Sequence, residues 1–535
     1  MISLVRIFSR ARSCFMFRPV VMTPPYRSAL RWSSCMASGI MLALLIAPLT
    51  GAELEMMAGN TITGEILDIN DQGIRVTTSM GGSSATMLLR RHLIHRYRTN
   101  SDSPWEIVTP RPKVERPEPE PQPEPGRPVR PARQSMPLPD RGFFGWRGDG
   151  SGSFGDDLEP PTHWDDSRNV VWKRELPTWG SGSPTLFGDA ILVTREPHTL
   201  LCIERSDGSI RWQVENSLPE VLGSGEDPGD APPSGLRGWT MATPVTDGTH
   251  IWVAFAQGLI TCFDASGNRV WAQPLNTVGQ WGANLSASPL LWRNLLLQQS
   301  ADGLIAFDKR TGQRLWRASF CCHLLGTGCF MDIDGRTHLL STEGHLVRLD
   351  DGRQLSGRVV DRAWQNWGPS AVAHKNIGVF HLHGRSTKNE TCIQAFRYSP
   401  TGEAEKIWEV IADPDYNYYT RMGNSPLIHQ GIYYATTDGG LLVAIDVESG
   451  EVLYRHKFNR VNYTSMTQAG PYIYISGRNH MHIIAAGREF REVATFPHGF
   501  TRPEARPWLL ISSPIFVGRE MYVVDHTHIW RIQSR

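Results

Sequence analysis

At 535 residues the chain is too long for one small core, so it holds several domains or a repeat array. Its 50 glycines, 37 prolines and 18 tryptophans, with few long charged amphipathic runs, argue against a helical bundle and for short strands joined by many turns. Lys plus Arg (54) balances Asp plus Glu (53), so no global field draws the chain to nucleic acid or to an anionic membrane surface.

Residues 1–52 read as a signal peptide or an N-terminal anchor. They are rich in Arg and Ser, almost free of acids, and close on the apolar run "ASGIMLALLIAPLTGA". Its core of about 13 residues is shorter than the roughly 20 that span a bilayer, and Thr50-Gly51-Ala52 offers small residues for cleavage. Export to the periplasm or cell envelope is the expectation, with a true start at Met22 and an uncleaved anchor as variants. No cysteine follows the run in lipobox position, which leaves a lipid anchor without support.

Residues 53–98 alternate β-branched and polar residues and break at Asn70-Asp71-Gln72-Gly73 and at Gly81-Gly82. That pattern predicts a small SH3-like or Sm-like β-barrel. Residues 99–140 form a linker, whose stretch from Thr109 to Asp140 is dense in proline. Proline removes donors from helices and ladders and favours extended polyproline II, so this segment is a spacer.

Repetition begins after residue 141 and runs to residue 535. A Ser/Thr-Pro pair opens each unit, at Ser183-Pro184, Thr243-Pro244, Ser288-Pro289, Ser425-Pro426 and Ser513-Pro514, with weaker copies near 329, 370 and 468. The second half of each unit is a hairpin such as "LIAFDKRTGQRLWRA", in which Gly208, Gly267, Gly312, Gly402 and Gly450 supply a tight turn. A ring-bearing strand follows, with Trp212, Trp271, Trp316, Trp408 or Tyr454. A period of roughly 45 to 50 residues is that of a four-stranded propeller blade. The expectation is an all-β fold with an eight-bladed β-propeller, seven being the alternative because three units are degenerate. The chain ends at "IWRIQSR" with no fourth strand in the last unit, while "NVVWKREL" at 169–176 looks like that missing strand. It should close the ring and hide two open sheet edges.

Ala306, Asp308, Thr311, Gly312 and Trp316 together resemble the tryptophan-docking pattern of the pyrroloquinoline-quinone (PQQ) type propeller repeat, and the resemblance covers residues 141–535. Two groups share that repeat. One comprises quinoprotein dehydrogenases; the other comprises non-enzymatic exported propellers, among them the lipoprotein of the outer-membrane β-barrel assembly machinery. The first would imply PQQ, a calcium ion held by carboxylate and amide oxygens, and an Asp base. Adjacent Cys321 and Cys322 resemble the vicinal disulfide of methanol-type enzymes, but the flanking "SFCCHLLGTGC" does not continue as those enzymes do. Their plainer reading is a pair of small residues at a strand start. Asp264, Asp308 and Asp446 belong to turns, Cys202 and Cys262 take the small buried slot of Ala306, and "RGDGSG" at 147 reads as turns.

No residue is assigned a catalytic or metal-binding role, and no cofactor is expected, PQQ with calcium being the alternative. What stands out are the connections into each innermost strand, which a propeller brings together at one mouth of its channel. They carry Arg237 and Trp239, Trp281 and Asn284, Trp364, Asn366 and Trp367, and Tyr416, Tyr418, Arg421 and Asn424. Trp-Gly before a strand also suits rim packing, whereas Arg and Tyr are enriched among binding anchors. The expected function is a protein- or ligand-binding scaffold of the cell envelope, with no nucleic acid partner; the competing reading is a quinoprotein alcohol or sugar dehydrogenase.

Overall fold

The computed structural model describes residues 49–56, 61–70, 73–80, 83–91, 94–100, 103–108, 142–165, 167–222, 240–277, 285–320, 325–360, 364–365, 368–384, 391–411, 424–437, 439–458, 464–477, 479–500 and 512–535. The chain divides into two compact units, Met1–Pro48 and Leu49–Arg535, and the described residues belong to the second.

Leu49–Met56, Thr61–Asn70, Gly73–Met80, Ser83–Arg90, Ile94–Arg98 and Glu106–Ile107 form one antiparallel six-stranded sheet. The first strand lies between the second and the fifth, and register shifts on both sides bend it. Ala52, Leu54, Ile66, Ile74, Val76 and Ile94 build its core. The sheet is longer than the 53–98 expected at both ends. Ala52 and Leu54, two apart, share the buried face, so the end of the apolar run continues the strand's own alternation.

Eight further sheets follow one another along the chain at 185–215, 245–274, 290–318, 329–348, 364–411, 427–457, 467–497 and 515–533, and they are numbered here as blades 1 to 8. Each is an antiparallel meander. Blade 4 keeps three strands, its fourth reduced to a single bridge from Val347 to Gln354, which is why no Trp strand is legible there. Apolar residues of the second and third strands are buried on both faces, as in Ile251–Phe255 and Leu259–Phe263, because each blade packs between two neighbours.

A circle of hydrogen bonds ties the blades together where their innermost strands begin. The backbone N–H of Ser183 donates to Thr243 Oγ1 (3.3 Å), Thr243 to Ser288 Oγ (3.0 Å), Ser288 to Thr327 Oγ1 (2.9 Å) and Thr327 to Ser370 Oγ (3.0 Å). Ser370 donates to Ser425 Oγ (3.0 Å), Ser425 to Ser465 Oγ (3.2 Å), and Ser513 to Ser183 Oγ (3.3 Å). Between blades 7 and 8 the Ser513 hydroxyl donates to the Ser465 carbonyl (3.1 Å). One hydroxyl residue per blade therefore closes a ring of eight. The Ser/Thr of the repeated pair accepts from the preceding blade, and the weak copies resolve to Thr327, Ser370 and Ser465.

Blade 8 takes its outer strand from the front of the propeller. Val170–Glu175 pairs antiparallel with His528–Gln533, with Trp172 opposite Arg531 and Lys173 opposite Trp530. Trp172 then behaves like the other outer-strand tryptophans. Its indole N–H donates to the Arg205 carbonyl of blade 1 (3.1 Å), as Trp212 does to Ala265 (3.1 Å), Trp271 to Lys309 (3.0 Å) and Trp408 to Val447 (2.8 Å). Each ring lies over the turn glycine of the next blade. At Gly312, with φ of +72°, a Cβ would sit 2.6 Å from Trp271 Cδ2, so the turn conformation and the close approach both demand glycine.

Candidate functional site

The innermost strands present their unpaired edges to the axis of the ring, and such edges need partners. Two mouths result: a leading one, where innermost strands begin and the hydroxyl circle lies, and a trailing one, where they end.

Residues 142–164 cross the trailing end. Phe144 exchanges backbone hydrogen bonds with Thr246 of blade 2 (2.9 and 2.7 Å), and Phe154 N–H donates to Gln468 O of blade 7 (2.9 Å) while Gln468 N–H donates to Gly152 O (2.8 Å). Phe143 meets Phe330 of blade 4 edge-on at 6.2 Å, and Phe154 meets Phe516 of blade 8 at 5.4 Å. Asp156 accepts from Gln430 Nε2 (3.0 Å) and Gln468 Nε2 (3.0 Å), which fastens the segment under blades 6 and 7. Between it and blades 3 to 6 a hollow of about 90 Å³ remains, lined by Asp149, Ser151, Leu290, Phe330, Val372 and Ile428 among others. The chain thus plugs its own axis, and "RGDGSG" is part of that plug. Reading it as ordinary turns misses this, because its partners lie hundreds of residues away and leave no local pattern. Arg147 was overlooked for the same reason.

The leading mouth holds a buried polar cluster. Arg195 Nη2 donates to His526 O (2.7 Å), joining blade 1 to blade 8, and burial lowers its pKa to about 10 against the opposing pull of Asp525 and Glu196. Glu196 Oε1 accepts from Thr240 N–H (2.8 Å) and from the Thr240 hydroxyl. Asp525 Oδ2 accepts from Trp530 Nε1 (2.7 Å), and its Oδ1 from the N–H groups of Thr527 (2.9 Å) and His528 (2.7 Å).

Of the residues singled out from sequence, Arg237, Trp239, Trp281, Asn284, Asn366, Trp367, Tyr416, Tyr418 and Arg421 lie outside the described residues, as do Cys321 and Cys322. The described residues Thr240, Leu285, Gly368 and Asn424, which follow these connections, stand within three residues of the circle members Thr243, Ser288, Ser370 and Ser425. Trp364 lies in the strand Trp364–Gln365, which pairs with His383 and Gly384 at the end of blade 5's second strand. Asn424 is 2% exposed and donates from Nδ2 to Thr436 Oγ1 (2.8 Å), a packing role within blade 6. Cys202 and Cys262 are fully buried, as expected of small core residues.

Residues 163–321 and 229–363 match the family described as outer membrane protein assembly factor BamB. The ring is a PQQ-type β-propeller related to that factor. BamB of Vibrio cholerae serotype O1 (strain ATCC 39315 / El Tor Inaba N16961) is 26% identical over 147 residues, which span 26% of this chain and 34%, about a third, of that relative. The crystal structure of BamB from Moraxella catarrhalis is similar with a TM-score of 0.49 at 12% identity, over 68% of this chain and 99% of that one. A europium-containing methanol dehydrogenase gives 0.38 at 12% identity, over 66% of this chain and 76% of that one.

Calcium with a quinone would need several convergent oxygen donors and a flat slot. Among the described residues no three His, Cys, Asp or Glu side chains converge on a point. Glu196 and Asp525, two buried acids of the leading mouth, are committed to backbone and side-chain donors of the propeller itself.

Proposed function

We propose that the protein is an exported propeller that works as a protein-binding scaffold of the cell envelope, without catalysis of its own. The observation that carries this reading is the match of residues 163–363 to a family whose namesake is an assembly factor. The plugged axis supports it, since the segment 142–164 takes space that a ligand of the trailing end would need. The leading-mouth connections, with Arg237, Trp239, Trp281, Asn284, Trp364, Asn366, Trp367, Tyr416, Tyr418, Arg421 and Asn424, are the proposed contact surface. Asn424 would act there by holding the Ser425 corner. A leader at residues 1–52 would deliver the protein to the periplasm, and the linker at 99–140 would extend the reach between the sheet and the propeller.

Capture of envelope proteins by the tagged chain, with and without Arg421→Ala plus Tyr418→Ala, tests the surface. The double variant should fold as the parent does and lose most of the captured partner; unchanged capture would contradict the assignment. Titration with PQQ and Ca²⁺ tests the dehydrogenase reading. A calcium-dependent quinone absorbance with dye reduction by alcohols or sugars would overturn the scaffold.

A further inference from the structure

Arg147 occupies a position that no packing argument explains. Its φ of +52° lies in the left-handed region, which L side chains avoid. The plug imposes that conformation: Gly145 and Gly148 pair through both backbone groups (2.6 and 3.2 Å), and Gly152 N–H donates to Arg147 O (3.1 Å). Gly152 also clears the space, for a Cβ there would come within 2.6 Å of Arg147 Cζ. The backbone is thus shaped to send this one side chain inward.

The guanidinium is 0% exposed, and Nη2 donates to the carbonyl of Pro426 (2.9 Å). Pro426 follows Ser425 of the hydroxyl circle, so the side chain reaches from the trailing plug toward the level of the leading mouth. Nε and Nη1 are buried and meet no acceptor among the described residues. The Trp146 ring, 5.0 Å from Cζ, offers only its face. Asp149 favours the charge from a distance, with Oδ1 accepting from Ser151 N–H (3.0 Å). Burial lowers the pKa to about 9, which still leaves a cation at neutral pH. A buried cation with three uncommitted N–H groups is strongly unfavourable unless an acceptor arrives. Water would satisfy the hydrogens but not the charge, whereas an oxyanion satisfies both.

We propose that the axial channel binds a small oxyanion, a carboxylate or phosphate, on Nε and Nη1 of Arg147. The site does not depend on the scaffold reading, since an anion-filled axis is compatible with a binding protein or an enzyme.

The test uses the full chain in chloride buffer, titrated with sodium acetate, succinate or phosphate at constant ionic strength, by calorimetry and by thermal unfolding. Wild type should give saturable heat and a saturable rise in Tm with at least one of these anions and none with added chloride. Phosphate alone would assign a tetrahedral ligand, and the carboxylates alone a planar one. Arg147→Met should weaken binding by about 10-fold to 100-fold, the worth of charge-assisted hydrogen bonds. Its Tm without ligand should equal or exceed that of wild type, because an uncompensated buried charge is gone. Absence of any heat or Tm shift in wild type would overturn the proposal whether or not the variant folds. So would an equal response in Arg147→Met.

Discussion

Trp172→Ala separates a closing strand from a passing one. Trp172 is 8% exposed, lies over Gly208 of blade 1, sits 6.1 Å from the Tyr522 ring and donates its N–H to Arg205 O (3.1 Å). Truncation of a buried tryptophan costs about 3–5 kcal/mol through lost transfer energy and the cavity left behind, and about 1 kcal/mol of that is the hydrogen bond. The residue belongs to the outer strand of blade 8 but rests on blade 1, so the loss falls on the seam that shuts the ring. Trp408, partly exposed at the seam of blades 5 and 6, should cost less when truncated. Urea unfolding followed by far-ultraviolet circular dichroism measures both. A loss under about 1 kcal/mol for Trp172→Ala, or one smaller than for Trp408→Ala, would refute the argument.

Three other outcomes are expected. Gly312→Ala forces a Cβ against Trp271 at a φ of +72° and should destabilise by at least about 2 kcal/mol in the same assay. Ser370→Ala strands the buried N–H of Thr327 and should cost about 1–3 kcal/mol, while Ser399→Ala, at an exposed turn, should cost far less. Burial pushes His345 and His482 down to about 4, helped at His345 by Arg358 and at His482 by His480 and His456 against Glu492. Their folded pKa lies below the ordinary 6.5, so the unfolded chain takes the proton first. Stability should be full above about pH 6.5 and fall toward pH 4, by at most about 3 kcal/mol per histidine. Urea midpoints that stay flat between pH 7 and pH 4.5 would contradict this.

The propeller was legible because its repeat is local. Asp308, Thr311, Gly312 and Trp316 lie within one hairpin, and Asp308 Oδ1 accepts from the N–H groups of Arg310 (3.0 Å) and Thr311 (2.8 Å) inside that turn. Closure by Val170–Glu175 was legible too, because a last blade one strand short must find an edge. The fourth strand of blade 4 was not, since a single bridge at Gln354 leaves no patterned strand. The plug was invisible for another reason: Arg147 meets Pro426 across 279 positions, and its glycines look like any turn. The leading-mouth connections were recognisable by composition alone, and composition does not show which side chains converge. Asn424 illustrates this, for a polar residue in an aromatic loop proved to be buried within its own blade.

The chain closes its ring with Val170–Glu175 and plugs its axis with residues 142–164. Hydrogen exchange of the intact protein, read by mass spectrometry on peptides covering 142–155 and 168–176, tests it most directly. Both should exchange slowly, with 168–176 protected as strongly as the terminal strand His528–Gln533 that pairs with it. Exchange of either peptide at the rate of an unpaired chain would contradict it.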